Sequence, residues 1–205
     1  MLKVLSPFGP KIAKLRFSKQ LIDKINFEVD QISSNRSLAK KLDYSKKLVG
    51  QVKQEISLPK SFIKKNLDKI IAKNIKDFIN KTLGKKPKIV KIKNFWIVRQ
   101  FSNEYNPIHF HDGHISGVGY LKVPKDMGKT IQKNKKVQHN GKLVLIDGSK
   151  KFLCSPTYVI TPKVGEFYFF PSYMMHTVYP FSDTSEERRS VSFNAKIDDD
   201  SAKLR

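Results

Sequence analysis

Three of the chain's five histidines fall within six residues, His109-Phe110-His111-Asp112-Gly113-His114, and a fourth, His176, follows the apolar segment Phe169 to Met175. His109 and His111 are two apart, so on an extended backbone both imidazoles leave the same face. Two neighbouring imidazoles plus a third delivered by a distant strand can hold one transition-metal ion and leave coordination positions open, the arrangement of a non-haem iron facial triad. That triad ordinarily reads His-x-Asp with a distal His. Here either His111 takes the carboxylate's position, or the turn at Asp112-Gly113 carries Asp112 to the metal. Strand alternation favours His111, whereas the affinity of Fe(II) for one anionic oxygen ligand favours Asp112. An isolated histidine is more often a hydrogen-bonded structural residue, and His114 and His139 are read that way.

A second constellation follows His176. The run Arg188-Arg189-Ser190-Val191-Ser192-Phe193-Asn194 has strand character, with Arg188, Ser190 and Ser192 on one face and Arg189, Val191 and Phe193 on the other. An inward Arg with a Ser two residues on is a two-donor clamp for a carboxylate, because the planar guanidinium binds it bidentately and the hydroxyl completes it. By itself such a pair would merely balance Glu186 and Glu187 at the surface. In register after a metal-ligating histidine it reads as an anion site. A ligand held there whose other end chelates the metal has to be a short dicarboxylate carrying a 2-oxo group.

These residues need a β scaffold, and the second half of the chain supplies one. β-Branched and aromatic runs with Gly and Pro punctuation predict strands near 88–101, 115–123, 142–147, 157–161, 166–170, 176–180 and 188–197. Seven short strands suggest a double-sheet jelly roll. The polar, lysine-rich segment Asp126 to Gly141 is expected to be a rim loop. Ahead of the barrel, a short strand is expected over Ile12 to Phe17. Ser18 is then a plausible N-cap for a helix whose apolar positions Leu21, Ile22, Ile25, Val29 and Ile32 recur at helical spacing. A second long amphipathic helix is expected from Pro59 through Ile79, closed by Gly84. Ser33 to Leu58 reads as loop with a short helical piece. The expectation is a single domain over 1–205: a helical support region at 1–87, a jelly-roll core at 88–197 and a polar tail at 198–205.

With 205 residues and 39% hydrophobic side chains the chain can bury a sizeable core, which excludes general disorder. The formal net charge of +22 raises nucleic acid as a partner. Yet the basic residues are mostly lysines spread along the chain, which favours a solvated basic surface over nucleic-acid readout. The lone Cys154 cannot form an internal disulfide, and MLKVLSPFGP lacks the apolar core of a signal peptide. No apolar run approaches the roughly 20 residues needed to span a bilayer. These features point to a cytoplasmic location and no membrane partner.

Taken together, NPIHFHDGHISGVGYLKVP, GEFYFFPSYMMHTVYPF and RRSVSFNA resemble the 2-oxoglutarate/Fe(II) oxygenase superfamily, specifically its small bacterial and phage prolyl-hydroxylase-like branch, from about Asn94 to Ile197. The resemblance implies a mainly β fold, a double-stranded β-helix core supported by two α-helices, with Fe(II) and 2-oxoglutarate as cofactors. It further implies His109 and His176 as metal ligands and Arg188 with Ser190 as the anchor for the far carboxylate of 2-oxoglutarate. Tyr120 matches a tyrosine that often bonds the same carboxylate. The sequence departs from His-x-Asp at the second ligand. The implied activity is hydroxylation of a small molecule or a peptide side chain, prolyl or other, with release of succinate and carbon dioxide. Two rivals stand beside it: a cupin-like metalloenzyme without 2-oxoglutarate, for which Arg188 would be superfluous, and a silent jelly-roll module binding nucleic acid through its lysines.

Overall fold

The computed structural model describes residues 2–5, 9–130, 132 and 134–202. In chain order the elements are β1 (Lys3–Leu5), β2 (Ile12–Arg16), α1 (Lys19–Ser34), α2 (Arg36–Lys41), β3 (Gln54–Ser57), α3 (Lys60–Asn66), α4 (Asp68–Leu83) and β4 (Val90–Gln100). There follow β5 (Asn106–His109), β6 (Ile115–Lys122), β7 (Leu143–Ile146), β8 (Thr157–Ile160), β9 (Glu166–Pro171), β10 (Met175–Val178), β11 (Arg188–Ile197) and α5 (Asp199–Ala202).

The strands form a seven-stranded sheet in the order β1-β2-β9-β6-β11-β4-β3 and a four-stranded sheet in the order β5-β10-β7-β8, with neighbouring strands antiparallel in both. Alternation along the major sheet sorts its residues into two faces. One face carries Ile56, Phe95, Ile97, Val191, Phe193, Phe167 and Phe169 and packs on Ile22, Ile25, Val29 and Ile32 of α1 and Ile71, Ile75 and Phe78 of α4. Each aliphatic side chain so buried contributes about 1.5–3 kcal/mol relative to leaving it in water. The other face turns Tyr120, Tyr168 and Phe170 toward Leu143 and Leu145 of β7 and Val178 of β10, forming a second core between the sheets. Fold class follows from this arrangement: a double-stranded β-helix with helices backing one sheet.

Local chemistry explains the elements and their departures from expectation. The Ser18 side chain accepts from the Leu21 amide and starts α1, and Gly84, at φ 67°, closes α4. The expected long second helix is instead two, α3 and α4, broken at Leu67. Asn66 sits at the break with its side-chain amide on the Phe62 carbonyl, a residue type that competes locally with the helix ladder. The break turns Leu67 inward, in line with Ile71 and Ile75. The support region therefore contains four helices rather than two. Ser33–Leu58, expected to be mostly loop, holds α2 and also β3, which pairs with β4 as an edge of the major sheet. Strands β1 and β5 were not expected, and the strand anticipated at 176–180 spans Met175–Val178. The described part of Asp126 to Gly141 contains neither helix nor strand; Ile131 and Lys133 lie outside the described residues, as do 203–205 of the polar tail.

Candidate metal and anion site

Strands β5 and β10 pair so that His109 lies directly opposite His176. His111 follows just past the end of β5, its amide bonded to the Ser172 carbonyl at 2.9 Å. Gly113, at φ 120°, then reverses the chain into β6; a Cβ there would lie 2.9 Å from the Ala195 carbonyl oxygen, so the turn needs glycine. Below it Ser116 links Ser172 (3.0 Å) to Asn194 Oδ1 (2.8 Å), a buried chain that fixes the segment carrying His111. The three imidazoles converge, with ring centroids 4.2 Å apart for His109 and His176, 4.9 Å for His109 and His111, and 5.0 Å for His111 and His176. One nitrogen from each lies within 4.8 Å of the others, a geometry that can hold one ion. Asp112 is exposed and stands outside this group.

Nδ1 of His109 is 2.7 Å from the Pro107 carbonyl oxygen and Nδ1 of His176 is 2.9 Å from that of Met174. A carbonyl oxygen only accepts, so both Nδ1 atoms carry the proton and both Nε2 lone pairs are free for a metal. Burial holds the rings neutral. It lowers the His109 pKa, and takes His111 to about 4 and His176 to about 3, with the mutual repulsion of the imidazoles adding to the last two. The edge of Trp96 faces His111 and Phe170 faces His176, closing the cluster against the two sheets.

The anion half of the site lies in the same cleft, whose lining includes His109, His111, His176, Arg188, Ser190 and Ser192. The cleft has a cavity volume of about 120 Å³, small beside the roughly 300–1,000 Å³ usual for drug-sized ligands. Arg188 is 1% exposed; its Nε donates to the Gly141 carbonyl (2.9 Å) and its Nη1 to Gln100 Oε1 (3.1 Å), while Nη2 has no partner. Its guanidinium carbon lies 5.2 Å from the ring centroid of Tyr120, which is fully buried and whose hydroxyl also has no partner. Arg189 turns the other way, into Glu187 at 2.7 Å and Asp30 at 2.6 Å.

Residues 94–194 match the family model described as "Putative 2OG-Fe(II) oxygenase". Over this region the chain is a 2OG-Fe(II) oxygenase. Its cofactors are accordingly Fe(II) and 2-oxoglutarate. No curated protein matches the oxygenase. Among solved structures it is similar to a prolyl-4-hydroxylase from Pseudomonas putida, at 14% identity and a TM-score of 0.56 over 89% of this chain and 91% of that one. It is also similar to a viral collagen prolyl hydroxylase from Paramecium Bursaria Chlorella virus-1 (16%, TM-score 0.51, 90% and 94% covered). A third is HygX from Streptomyces hygroscopicus, solved with nickel and 2-oxoglutarate (10%, TM-score 0.57, 90% and 81% covered). At these identities the likeness establishes the shared fold.

Of the residues expected to act, His109, His111, His176, Arg188 and Ser190 border one cleft, Tyr120 packs against Arg188, and Asp112 is left outside the histidine group. His114 is structural, its Nδ1 accepting from the Ile197 amide at 3.1 Å; the His139 ring lies 5.3 Å from that of Tyr179, tilted by 30°. Sequence reasoning missed Glu55, Asn106 and Ser116, which also line the cleft. Glu55 is 2% exposed, and nothing in the polar run around it distinguishes it from a solvated glutamate. No helix among the described residues is long and apolar enough to cross a membrane.

Proposed function

We propose that this oxygenase binds Fe(II) through Nε2 of His109 and His176 and an imidazole nitrogen of His111, and 2-oxoglutarate between that ion and Arg188. The substrate is a small molecule or a peptide side chain, hydroxylated at a C–H bond with release of succinate and carbon dioxide. The observation that carries this reading is a pair of buried, unpartnered groups: Nη2 of Arg188, which lines the cleft that holds the histidines, and Oη of Tyr120, over whose ring the Arg188 guanidinium lies. A buried donor without an acceptor costs on the order of 1–3 kcal/mol, and a carboxylate bound there satisfies both. A cupin-like metal site without 2-oxoglutarate would leave both unexplained.

Each residue then has a definite task. The guanidinium of Arg188, already held by Gly141 and Gln100, presents its remaining donor edge to the C5 carboxylate. The Tyr120 hydroxyl, its pKa pushed up to about 12 by burial, stays protonated and donates a second bond, and Ser190 offers a third. Three neutral imidazoles leave the full charge of a divalent ion uncompensated, which favours a dianionic co-ligand. Trp96, Phe170 and Val118 give the cleft its apolar lining. When bound, Fe(II) supplies the coupled oxidation in which one oxygen atom of O2 enters the substrate and the other enters succinate.

The test is an anaerobic titration with Fe(II) and then 2-oxoglutarate, following the visible metal-to-ligand charge-transfer band. A saturable band that disappears in Arg188→Ala is the expected result. Absence of the band in the wild type, together with no conversion of 2-oxoglutarate to succinate, would overturn the assignment.

A further inference from the structure

Among the described residues Glu55 is the one acidic side chain lining this cleft, and its surroundings do not account for its burial. It sits on edge strand β3 opposite Val98 of β4; Val98 faces Ser190 of β11, and Ser190 faces Tyr120 of β6. That row crosses the inner face of the major sheet, with the anion clamp at its inner end and Glu55 at its open end. The carboxyl is 2% exposed, and its Oε2 has no hydrogen-bond partner. Asn106 of β5, an edge strand of the other sheet, brings its own unpartnered Oδ1 to the same place. A Cβ at Gly50 would lie 2.5 Å from Glu55 Oε1 and 2.8 Å from Asn106 Oδ1, so the two acceptors flank one small space that glycine leaves open.

In a chain with 40 Lys and Arg residues, a buried carboxyl without a cation is conspicuous. Among the described residues no ion pair or hydrogen bond satisfies it. Arg99 is taken by Glu187 and Gln54, the Lys47 ammonium lies over the Tyr44 ring and that of Lys53 over the Phe101 ring. Burial and the nearby Asp43 charge raise the Glu55 pKa to about 7, so the empty protein gains nothing from its negative form. Buried polar groups left unsatisfied in this way are kept for a ligand or paid for in stability.

We propose that Glu55, with the Asn106 amide beside it, is the substrate-recognition subsite of this oxygenase and takes a cationic hydrogen-bond donor, an ammonium or guanidinium group. The inference rests on the proposed oxygenase function and deepens it by naming the substrate's chemical class. The subsite opens between the β3 and β5 edges, away from Arg188, so a substrate anchored there lies beside the histidines without competing for the 2-oxoglutarate clamp.

The probes are butylguanidinium, butylammonium and the neutral isostere butylurea, titrated by ligand-detected NMR with and without bound metal and 2-oxoglutarate. Wild type should bind butylguanidinium at least about 10-fold more tightly than butylurea, the increment of one charge-assisted pair. Glu55→Gln should bring the two within about twofold while its affinity for 2-oxoglutarate stays unchanged, and Glu55→Asp should retain part of the preference. Equal binding of butylurea by wild type, a preference that survives in Glu55→Gln, or no binding of either cation would overturn the subsite. Failure to bind 2-oxoglutarate is read separately and would count against the proposed function instead.

Discussion

The carbonyls of Pro107 and Met174 decide which nitrogen His109 and His176 can offer, and that contact makes the site testable one residue at a time. His176→Ala should abolish stoichiometric Fe(II) binding, measured by metal analysis after anaerobic loading, with the circular dichroism spectrum unchanged. His111→Ala should lose the ion as well, whereas Asp112→Ala should keep it; the reverse pattern would transfer the second ligand to Asp112. Truncating Arg188 removes the counter-charge from a desolvated carboxylate, so Arg188→Ala should weaken 2-oxoglutarate binding by about 2–5 kcal/mol in calorimetric titration. Iron affinity should hardly change. Glu55 carries a pH signature of its own. Its folded pKa, about 7, lies above the reference 4.5, so folding favours the protonated form. That stabilisation is present below pH about 4.5 and is lost as the pH rises through about 7. The melting temperature of Glu55→Gln minus that of wild type should therefore increase between pH 5 and pH 8, and a flat difference would contradict the buried acidic state.

At the scale of elements, β11 is the strand that divides the labour. Its Arg188 face serves the cleft and its Arg189 face serves the helices. Arg189 is wholly buried and its guanidinium spans Glu187, Asp30 and Asn26 of α1. Arg189→Ala should thus cost on the order of 3 kcal/mol of stability in denaturant titration, with 2-oxoglutarate affinity retained by the folded fraction. Alternation made this two-faced strand legible from sequence, because seven consecutive residues with clear apolar and polar positions define a phase. The same pattern exposed His109 and His111 as a pair. Strand β3 escaped notice because Gln54-Glu55-Ile56-Ser57 offers a single apolar residue, and β5 because it is four residues long and contains Pro107. What sequence alone could not supply was which polar residues turn inward, since Glu55 buried on an edge strand and a lysine-flanked glutamate in water read alike. The expected strand at 115–123 contains Gly117 and Gly119, whose role sequence reading did not assign. In the structure the rings of Phe193 and Phe167 occupy the places their side chains would take, and Gly119→Ala should destabilise the sheet–helix layer by about 1–3 kcal/mol.

Across the whole molecule the two ends of the proposed cofactor pair belong to different sheets: His109 and His176 to the four-stranded one, Arg188 and Tyr120 to the seven-stranded one. Metal and 2-oxoglutarate bound together tie the sheets to each other. At about 100 times its dissociation constant a ligand specific for the folded state adds about 2.7 kcal/mol, which for a chain of this size is a rise of roughly 5–10 °C in melting temperature. Calorimetry should show that rise with both present, and a chelator should abolish it. The pairing of β5 with β10 has one more consequence. His109 and His176 are register partners on adjacent short strands, and the ladder shifts immediately beyond them, between His176 and Val178. A slip of one residue would send Ile108 or Phe110 inward and one imidazole out to solvent. Only the correctly registered β5–β10 pair sets the two imidazoles side by side, so the fraction of refolded molecules that takes up metal should count those that found their register.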